Sequence, residues 1–437
     1  GDIFAWRPPP CCPGRFGRRL RVSAALGVPI KLTPNARPGD YAQAVMDLGA
    51  TLCIPRRPKC ILCPWTAHCR GKDIAESLPA RRPKPEKPTR HGTIFWIERL
   101  DGSVLVRRRP EKGLLGGMME FPSTDWREVV GNPEIDILDI NTPNDSHAEI
   151  AIAAAKVGKH ILCEKPLGMD VKQCRQMLQA VKKANVVHMI CHNYRRIPAI
   201  AQAKKMIDEG VLGEIRHYHA RYAQSWLVDP KAPRLWRMQK QFAGSGAHGD
   251  INAHIIDLGR FLVGEFDEVS GQMLTFIKQR PLPENPKKMG RVTVDDAAQC
   301  IGRFKNGAML NLEATRYATG RKNHINLEIN GSKGSLEFNF EDMNRLKYFD
   351  NTAPADRQGF ADIIVTQQNG VHPYVGQWWP PGHIIGYEHT FVHTLADFVN
   401  AVAKGKSVQP TFEDGLKNQQ VLEAVEKSAS TRRWVKV

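Results

Sequence analysis

From residue 135 onward, apolar runs and amphipathic stretches alternate along the chain. Ile135–Asn141 reads as an apolar strand, broken by Thr142-Pro143-Asn144. Ser146 then stands where it can cap a helix over Ala148–Val157, which Gly158 ends. His160–Glu164 reads as the next strand and runs into Lys165-Pro166. Asp170 can cap a helix reaching about Ala184, and Val186–His192 gives a third strand, with Arg195 just beyond it. Strand alternating with helix predicts a parallel α/β sheet. Further on, Ala297–Phe304 and Ala308–Arg316 are strand-like runs in a region rich in them.

The first third has a different pattern. Residues 1–36 are rich in Arg and Pro and show no convincing element. Tyr41–Ala50 reads as a helix with Ala42, Val45, Met46 and Leu48 largely on one side. Ser77–Arg90 reads as an extended Pro/Lys/Arg tether. Thr93–Leu100 and Ser103–Arg109, joined by Asp101-Gly102, predict a hairpin. The resulting division is 1–36 irregular, 37–76 a helix with a cysteine loop, 77–90 linker, 91–125 a partial domain, 126–195 a partial parallel domain, and 196–437 the sheet-rich remainder.

Charge sharpens that boundary. The net charge is +17 over 437 residues, and its distribution is uneven. Residues 1–127 hold 23 Lys and Arg against 11 Asp and Glu; the remaining 310 hold 39 against 34. A basic N-terminal third suits contact with DNA, and equally a solvated basic surface. No apolar run approaches the length that spans a bilayer, and no signal peptide is evident, so a cytoplasmic location is expected.

Four of the ten cysteines, Cys53, Cys60, Cys63 and Cys69, fall within 17 positions. Four thiolates on a short loop can surround one metal centre, although two separated Cys-x-x-Cys pairs, usual for zinc ribbons, are absent. The spacing resembles the [4Fe-4S] loop of the helix-hairpin-helix DNA glycosylases. Tyr41 to Cys53 and Cys63-Pro64-Trp65 narrow the resemblance to the adenine-specific, mismatch-directed members. Arg107 to Pro122 is similar to the start of that family's Nudix-like domain. The family's catalytic carboxylates belong to a helical domain before the cluster, and no matching Val-Asp-Gly-Asn setting precedes Cys53 here. The resemblance therefore implies an iron–sulfur DNA-binding fragment without excision activity.

A second resemblance begins at about Thr124. Asn141 to His147, Cys163-Glu164-Lys165-Pro166, Asn193-Tyr194-Arg195 and Gly244 to Asp257 resemble the glucose–fructose oxidoreductase and inositol dehydrogenase family, Gfo/Idh/MocA. That implies an NAD- or NADP-dependent oxidoreductase of a sugar or polyol hydroxyl. An incomplete Rossmann domain would precede an α/β domain whose open, mostly antiparallel sheet carries substrate and homo-oligomer contacts.

Such a reaction needs a base for the hydroxyl proton and positive charge beside the developing alkoxide. Asp250 and His254 are spaced i, i+4, so a helix would place them on one face. The resemblance implies His254 as proton acceptor, with Asp250 orienting substrate or imidazole. Lys165 would polarise the substrate oxygen and adjoin the nicotinamide ribose, with Thr142, Asn144, His147 and Glu164 around the cofactor. Trp236-Arg237 resembles a pair reaching toward it, which adds Arg237. Trp378-Trp379-Pro380-Pro381-Gly382-His383 reads either as aromatic faces for a sugar or as a core or subunit-contact loop.

One part of the second family is missing. A dinucleotide fold opens with a strand, a Gly-x-Gly-x-x-Gly turn and a helix whose N-terminus holds the pyrophosphate. Gly113-Leu114-Leu115-Gly116-Gly117 does not match it. The expectation is a Rossmann sheet lacking its first three strands, with the strand at 135–141 left at an edge. The residue that selects NAD or NADP belongs to the missing part. The chain thus reads as a chimera joined near Ser123–Glu128, with a glycosylase-like fragment or a non-functional fusion as alternatives to the impaired oxidoreductase.

Overall fold

The computed structural model describes residues 126–367 and 370–437. Of the earlier residues it describes 48, 51–54, 58–64, 66–69, 72–77 and four two-residue strands. The chain divides into two compact units, Gly1–Pro122 and Ser123–Val437.

In the first unit, short helical turns occupy Cys60–Leu62, Thr66–His68 and Lys72–Ser77. Backbone bonds tie the cysteine stretch together locally: Cys53 N–H donates to Leu48 O at 2.7 Å, and Lys59 N–H to Leu52 O at 2.8 Å. Cys53 and Cys69 are exposed, Cys60 and Cys63 half-buried, and none is in a disulfide. Among the described residues, no three His, Cys, Asp or Glu side chains are grouped where one metal ion would bond them, so the expected thiolate cage is not assembled. Ile61 is 96% exposed and Leu62 67%, so packing does not draw the thiols inward, and only bonds to a metal would. The irregular residues 1–36, the tether at 77–90 and most of the 93–109 hairpin lie outside the described residues. One end of that hairpin, Arg107–Arg108, pairs antiparallel with Met119–Glu120.

The second unit opens with α1 (Trp126–Gly131) and β1 (Ile137–Ile140), then α2 (His147–Lys156), β2 (His160–Cys163), α3 (Val171–Ala184) and β3 (His188–Ile190). β1, β2 and β3 form a parallel sheet in that order. Among the described residues β1 is its edge. Asp170 caps α3 as expected, its carboxylate accepting from Gln173 N–H at 2.7 Å. Ser146 does not cap α2. A 3-10 turn, Asn144–Ser146, intervenes, and the Ser146 hydroxyl bonds Thr142 Oγ1 and Pro143 O instead.

Helix α4 (Pro198–Asp208) leads into β4 (Ile215–Ala223), followed by α5 (Ala253–Leu262), β5 (Phe266–Leu274), β6 (Ala297–Phe304) and β7 (Met309–Thr315). Then come β8 (His324–Gly331), β9 (Gly334–Asn339), β10 (Arg345–Asp350) and β11 (Phe360–Ile364). After α6 (Tyr387–Ala403) and α7 (Phe412–Thr431), β12 (Val435–Lys436) ends the chain. The nine strands β4 to β12 form one sheet, ordered β11-β10-β9-β8-β4-β7-β6-β5-β12, antiparallel except for the β4–β7 pair. Alternation drives its burial. In β6, Ala298, Cys300, Gly302 and Phe304 face the core while Gln299, Ile301 and Arg303 are exposed.

The inner face packs on α4, α5 and α7 through Ile200, Ile256, Leu312, Leu327, Phe338 and Val425, among others. The parallel sheet does not close by itself. Phe398 and Ala401 of α6 cover Leu162, Val187 and Met189, so residues near the C-terminus complete its core. Among the described residues, no helix is long and apolar enough to cross a membrane.

Candidate active site

Parallel strands deliver the residues after their carboxyl ends to one rim of the sheet. Asn141 to Asn144 follow β1, and Glu164 to Pro166 follow β2. They line one side of a cavity of about 420 Å³, and its other walls include Trp236, Arg237, Ser245, Asp250 and Arg316. Thr142, Asn144, Glu164, Lys165, Arg237 and Asp250, all expected from the sequence, therefore meet in one place. Asn144 also ties the rim to the opposite wall, donating from Nδ2 to Ala243 O at 3.0 Å.

The centre of the cavity is ionic. Lys165 Nζ donates to Asp250 Oδ1 at 2.9 Å and to Asp250 O at 2.8 Å. Arg316 Nη2 donates to Asp250 Oδ2 at 2.6 Å. Burial by itself would raise the Asp250 carboxyl, but the Lys165 and Arg316 cations hold it far below the usual carboxylate range. One carboxylate between two cations leaves the group with a net positive charge, which suits an oxygen gaining negative charge.

The resemblance implies that Asp250 orients substrate or imidazole, and in the structure its carboxylate bonds the Lys165 and Arg316 cations. It sits in a π-turn, His248–Asn252, immediately before α5. The wider turn shifts the i, i+4 register, and both carboxylate oxygens go to the cations. The turn is held by Asp295, whose carboxylate accepts from Gly246 N–H at 2.6 Å and His248 N–H at 2.8 Å.

His254 opens α5 and is buried, and its Nδ1 is enclosed with no hydrogen-bond partner. Burial, then the Lys165 cation and His192, push its pKa well below the ordinary value, so the ring is neutral near pH 7. Tyr194 lies against it at 4.4 Å between ring centroids. The Tyr194 hydroxyl meets that of Tyr222 at 2.9 Å, and Tyr222 donates to Asn323 Oδ1 at 2.7 Å.

His147 differs from expectation. It is fully enclosed, with Nδ1 at 3.0 Å from Pro166 O and Nε2 at 2.9 Å from Thr142 O. It fastens together the two loops that bear Thr142 and Lys165, and it does not line the cavity. Trp378 does not line it either: its Nε1 donates to His393 Nε2 at 2.8 Å.

Arg316, Tyr194 and Tyr222 were not anticipated as site residues. Arg316 had a faint signal, a cation ending an alternating strand run. Tyr194 had one in the Asn193-Tyr194-Arg195 motif, and Tyr222 had none, because the fold alone brings β4 beside α5.

Comparison with known proteins follows the same outline. A family model described as "Oxidoreductase family, NAD-binding Rossmann fold" matches residues 118–192, and one described as "GFO/IDH/MocA C-terminal domain" matches 200–337. Levoglucosan dehydrogenase of Pseudarthrobacter phenanthrenivorans is 45% identical over 332 residues, which is 73% of this chain and 84% of that protein. Inositol 2-dehydrogenase of Rhizobium meliloti is 26% identical over 70% of this chain and 81% of its own length. A crystal structure of levoglucosan dehydrogenase in complex with NADH and levoglucosan superposes with a TM-score of 0.68 at 46% identity, covering 72% of this chain and 83% of that one. An oxidoreductase domain protein from Kribbella flavida gives a TM-score of 0.69 at 50% identity, covering 72% and 84%. The chain belongs to the Gfo/Idh/MocA oxidoreductase family.

Proposed function

We propose that the chain oxidises a hydroxyl of a cyclic sugar or polyol by hydride transfer to NAD, with 1,6-anhydrosugars such as levoglucosan as the first substrates to try. The observation that carries this reading is the Lys165–Asp250–Arg316 cluster within reach of Thr142, Asn144 and Glu164. The substrate hydroxyl would lie between Lys165 Nζ and His254. The Lys165 ammonium stabilises the alkoxide as it forms, while neutral His254 takes the hydroxyl proton on Nε2, the ring nitrogen opposite the enclosed Nδ1. Asp250 and Arg316 fix the position of Lys165, and Tyr194 fixes the plane of the His254 ring. What the cofactor supplies when bound is the acceptor for the hydride.

The residues present fit one end of that cofactor. Thr142, Asn144, Glu164 and Arg237 offer polar groups at the strand ends where a nicotinamide ribose would bind. The pyrophosphate end has no counterpart among the described residues, since the parallel sheet holds three strands and β1 follows no glycine-rich turn. NAD therefore binds weakly, and activity requires cofactor concentrations well above those usual for dehydrogenases. NADP is the alternative outcome of the same assay. The test is NADH formation at high NAD with levoglucosan, inositol and glucose. Turnover that disappears in Lys165→Met supports the reading, and absence of turnover at any cofactor concentration overturns it.

Two partner readings accompany this one. The outer face of the nine-stranded sheet exposes Ile301 and Met309 on adjacent strands, which favours self-association there. Light scattering on Ile301→Glu would then show a smaller particle than the parent. For the first unit, the Cys53-x6-Cys60-x2-Cys63-x5-Cys69 spacing favours an iron–sulfur loop with DNA contact. Anaerobic reconstitution that yields no visible absorbance band, with no salt-dependent DNA binding, would remove that reading.

A further inference from the structure

Behind His254 lies a second buried histidine to which the chemistry above gives no task. His192 follows β3 and is 2% exposed, and neither of its ring nitrogens has a hydrogen-bond partner. The His192 and His254 rings meet edge to face, with centroids 6.3 Å apart and planes at 81°. Three enclosed, unbonded nitrogens on two adjacent rings are costly unless they satisfy one another.

Neighbouring groups do not satisfy them. Asp257 Oδ1 lies 3.7 Å from His192 Nε2, beyond hydrogen-bond length, and both Asp257 oxygens already accept from Arg195 at 2.8 and 2.6 Å. Arg195 also reaches Asp414 at 3.2 Å, and Arg260 lies 3.7 Å from Asp414. Arg260 also pairs with Glu265 at 3.0 Å, which Lys417 reaches at 3.2 Å, so three carboxylates face three cations and no unmatched negative charge calls for a cationic His192. On the other side of His254 stand Lys165 and Asp250, bonded to each other, and the Tyr194 and Tyr222 hydroxyls, bonded to each other. The ring plane of His254 is therefore held, while its tautomer is left to His192.

We infer that His192 is a positioning residue for His254: its neutral ring accepts, through one enclosed water, the hydrogen bond of the His254 Nδ1–H, and so keeps Nε2 unprotonated. The two rings make no direct N–H···N bond, and a single water between them would let their nitrogens share one. This inference rests on His254 as the proton acceptor. A base must present its lone pair to the substrate, and the proton on the far nitrogen must be held in place while the ring becomes cationic. No proton passes to His192. The hydroxyl proton bonds to His254 Nε2, the Nδ1–H remains, and its hydrogen bond to the water strengthens.

Long-range nitrogen–proton correlation NMR on the ¹⁵N-labelled full chain, without cofactor, reads the tautomer directly. The parent should show His254 as the Nδ1–H tautomer from pH 6 to pH 8. His192→Leu should give a mixture of tautomers, and His192→Gln, which keeps an acceptor, should restore the single form. In turnover, His192→Leu should lower kcat by roughly tenfold to a hundredfold, the range for losing the group that orients a functional histidine, with KM nearly unchanged. His192→Gln should recover most of that loss. An unaltered His254 tautomer in His192→Leu, or a mixture already present in the parent, overturns the inference. A tautomer change in a chain that turns over no sugar would leave the inference standing and defeat the dehydrogenase reading instead.

Discussion

The parallel and the antiparallel sheets of the second unit contribute to the same cavity in different ways. Among the described residues the parallel one has three strands, an edge at β1, and a core completed by Phe398 and Ala401 from near the C-terminus. The antiparallel one has nine strands and a continuous inner face over three helices. Lys165 comes from the first, Arg316 from the second, and Asp250, on the turn before α5, joins them. The comparison separates two requirements of a dehydrogenase. Chemistry at the substrate oxygen needs a few charges held rigidly, and the larger sheet with its helices holds them. Grip on a dinucleotide needs a longer parallel sheet and a phosphate turn, and there the described residues provide half.

The largest effects should therefore come from the charges at the junction. His254→Asn is expected to lower kcat by roughly 10² to 10⁴, the range for a general base. Lys165→Met should lower it by about 10² to 10³, as for other groups that stabilise an oxyanion. Steady-state kinetics at saturating sugar checks both. Variants within threefold of the parent would detach the chemistry from this junction.

Next in size is the difference in packing. Leu312→Ala, in β7 at the middle of the larger sheet, removes a side chain with 0% exposure and should cost about 2–5 kcal/mol. Leu138→Ala, in edge strand β1, should fall at the low end of that range, because an edge can relax. Urea unfolding of the two variants measures the gap, and equal losses would mean that β1 is as firmly held as β7.

The last effect is a response to acid, assigned to the parallel layer. Burial lowers His188 in β3 and His192 just beyond it to about 4, whereas in the unfolded chain both titrate near 6.5. Between those values the unfolded chain binds the more protons, so stability falls as pH drops through that window. Each unit of depression corresponds to about 1.4 kcal/mol. Urea midpoints at pH 7 and pH 4.5 test this, and equal midpoints would contradict it. The low pKa of His254 also implies that kcat/KM shows no acid limb near pH 6.5.

Much of this was legible in the sequence. The strand–helix alternation over 135–192 places Thr142 and Lys165 correctly, because chain breaks such as Thr142-Pro143-Asn144 and caps such as Asp170 act locally. Asn141 to His147, Cys163-Glu164-Lys165-Pro166 and the Gly244–Asp257 stretch marked most of the cavity through the family resemblance. Where long-range contacts decide, the sequence was silent or misleading. His147 looked like a cofactor neighbour, yet it is a buried clamp between Thr142 and Pro166. Asp250 and His254 looked like a facing pair, yet the π-turn and two distant cations redirect the carboxylate. His192 read only as the end of a strand, since its meaning depends on α5 lying against it.

The central claim is that this chain holds a working proton and alkoxide site beside an incomplete dinucleotide cradle. Calorimetric titration of the purified chain with NAD tests it most directly. The account predicts weak heats with no saturation in the micromolar range. Saturable binding with a micromolar Kd would contradict it.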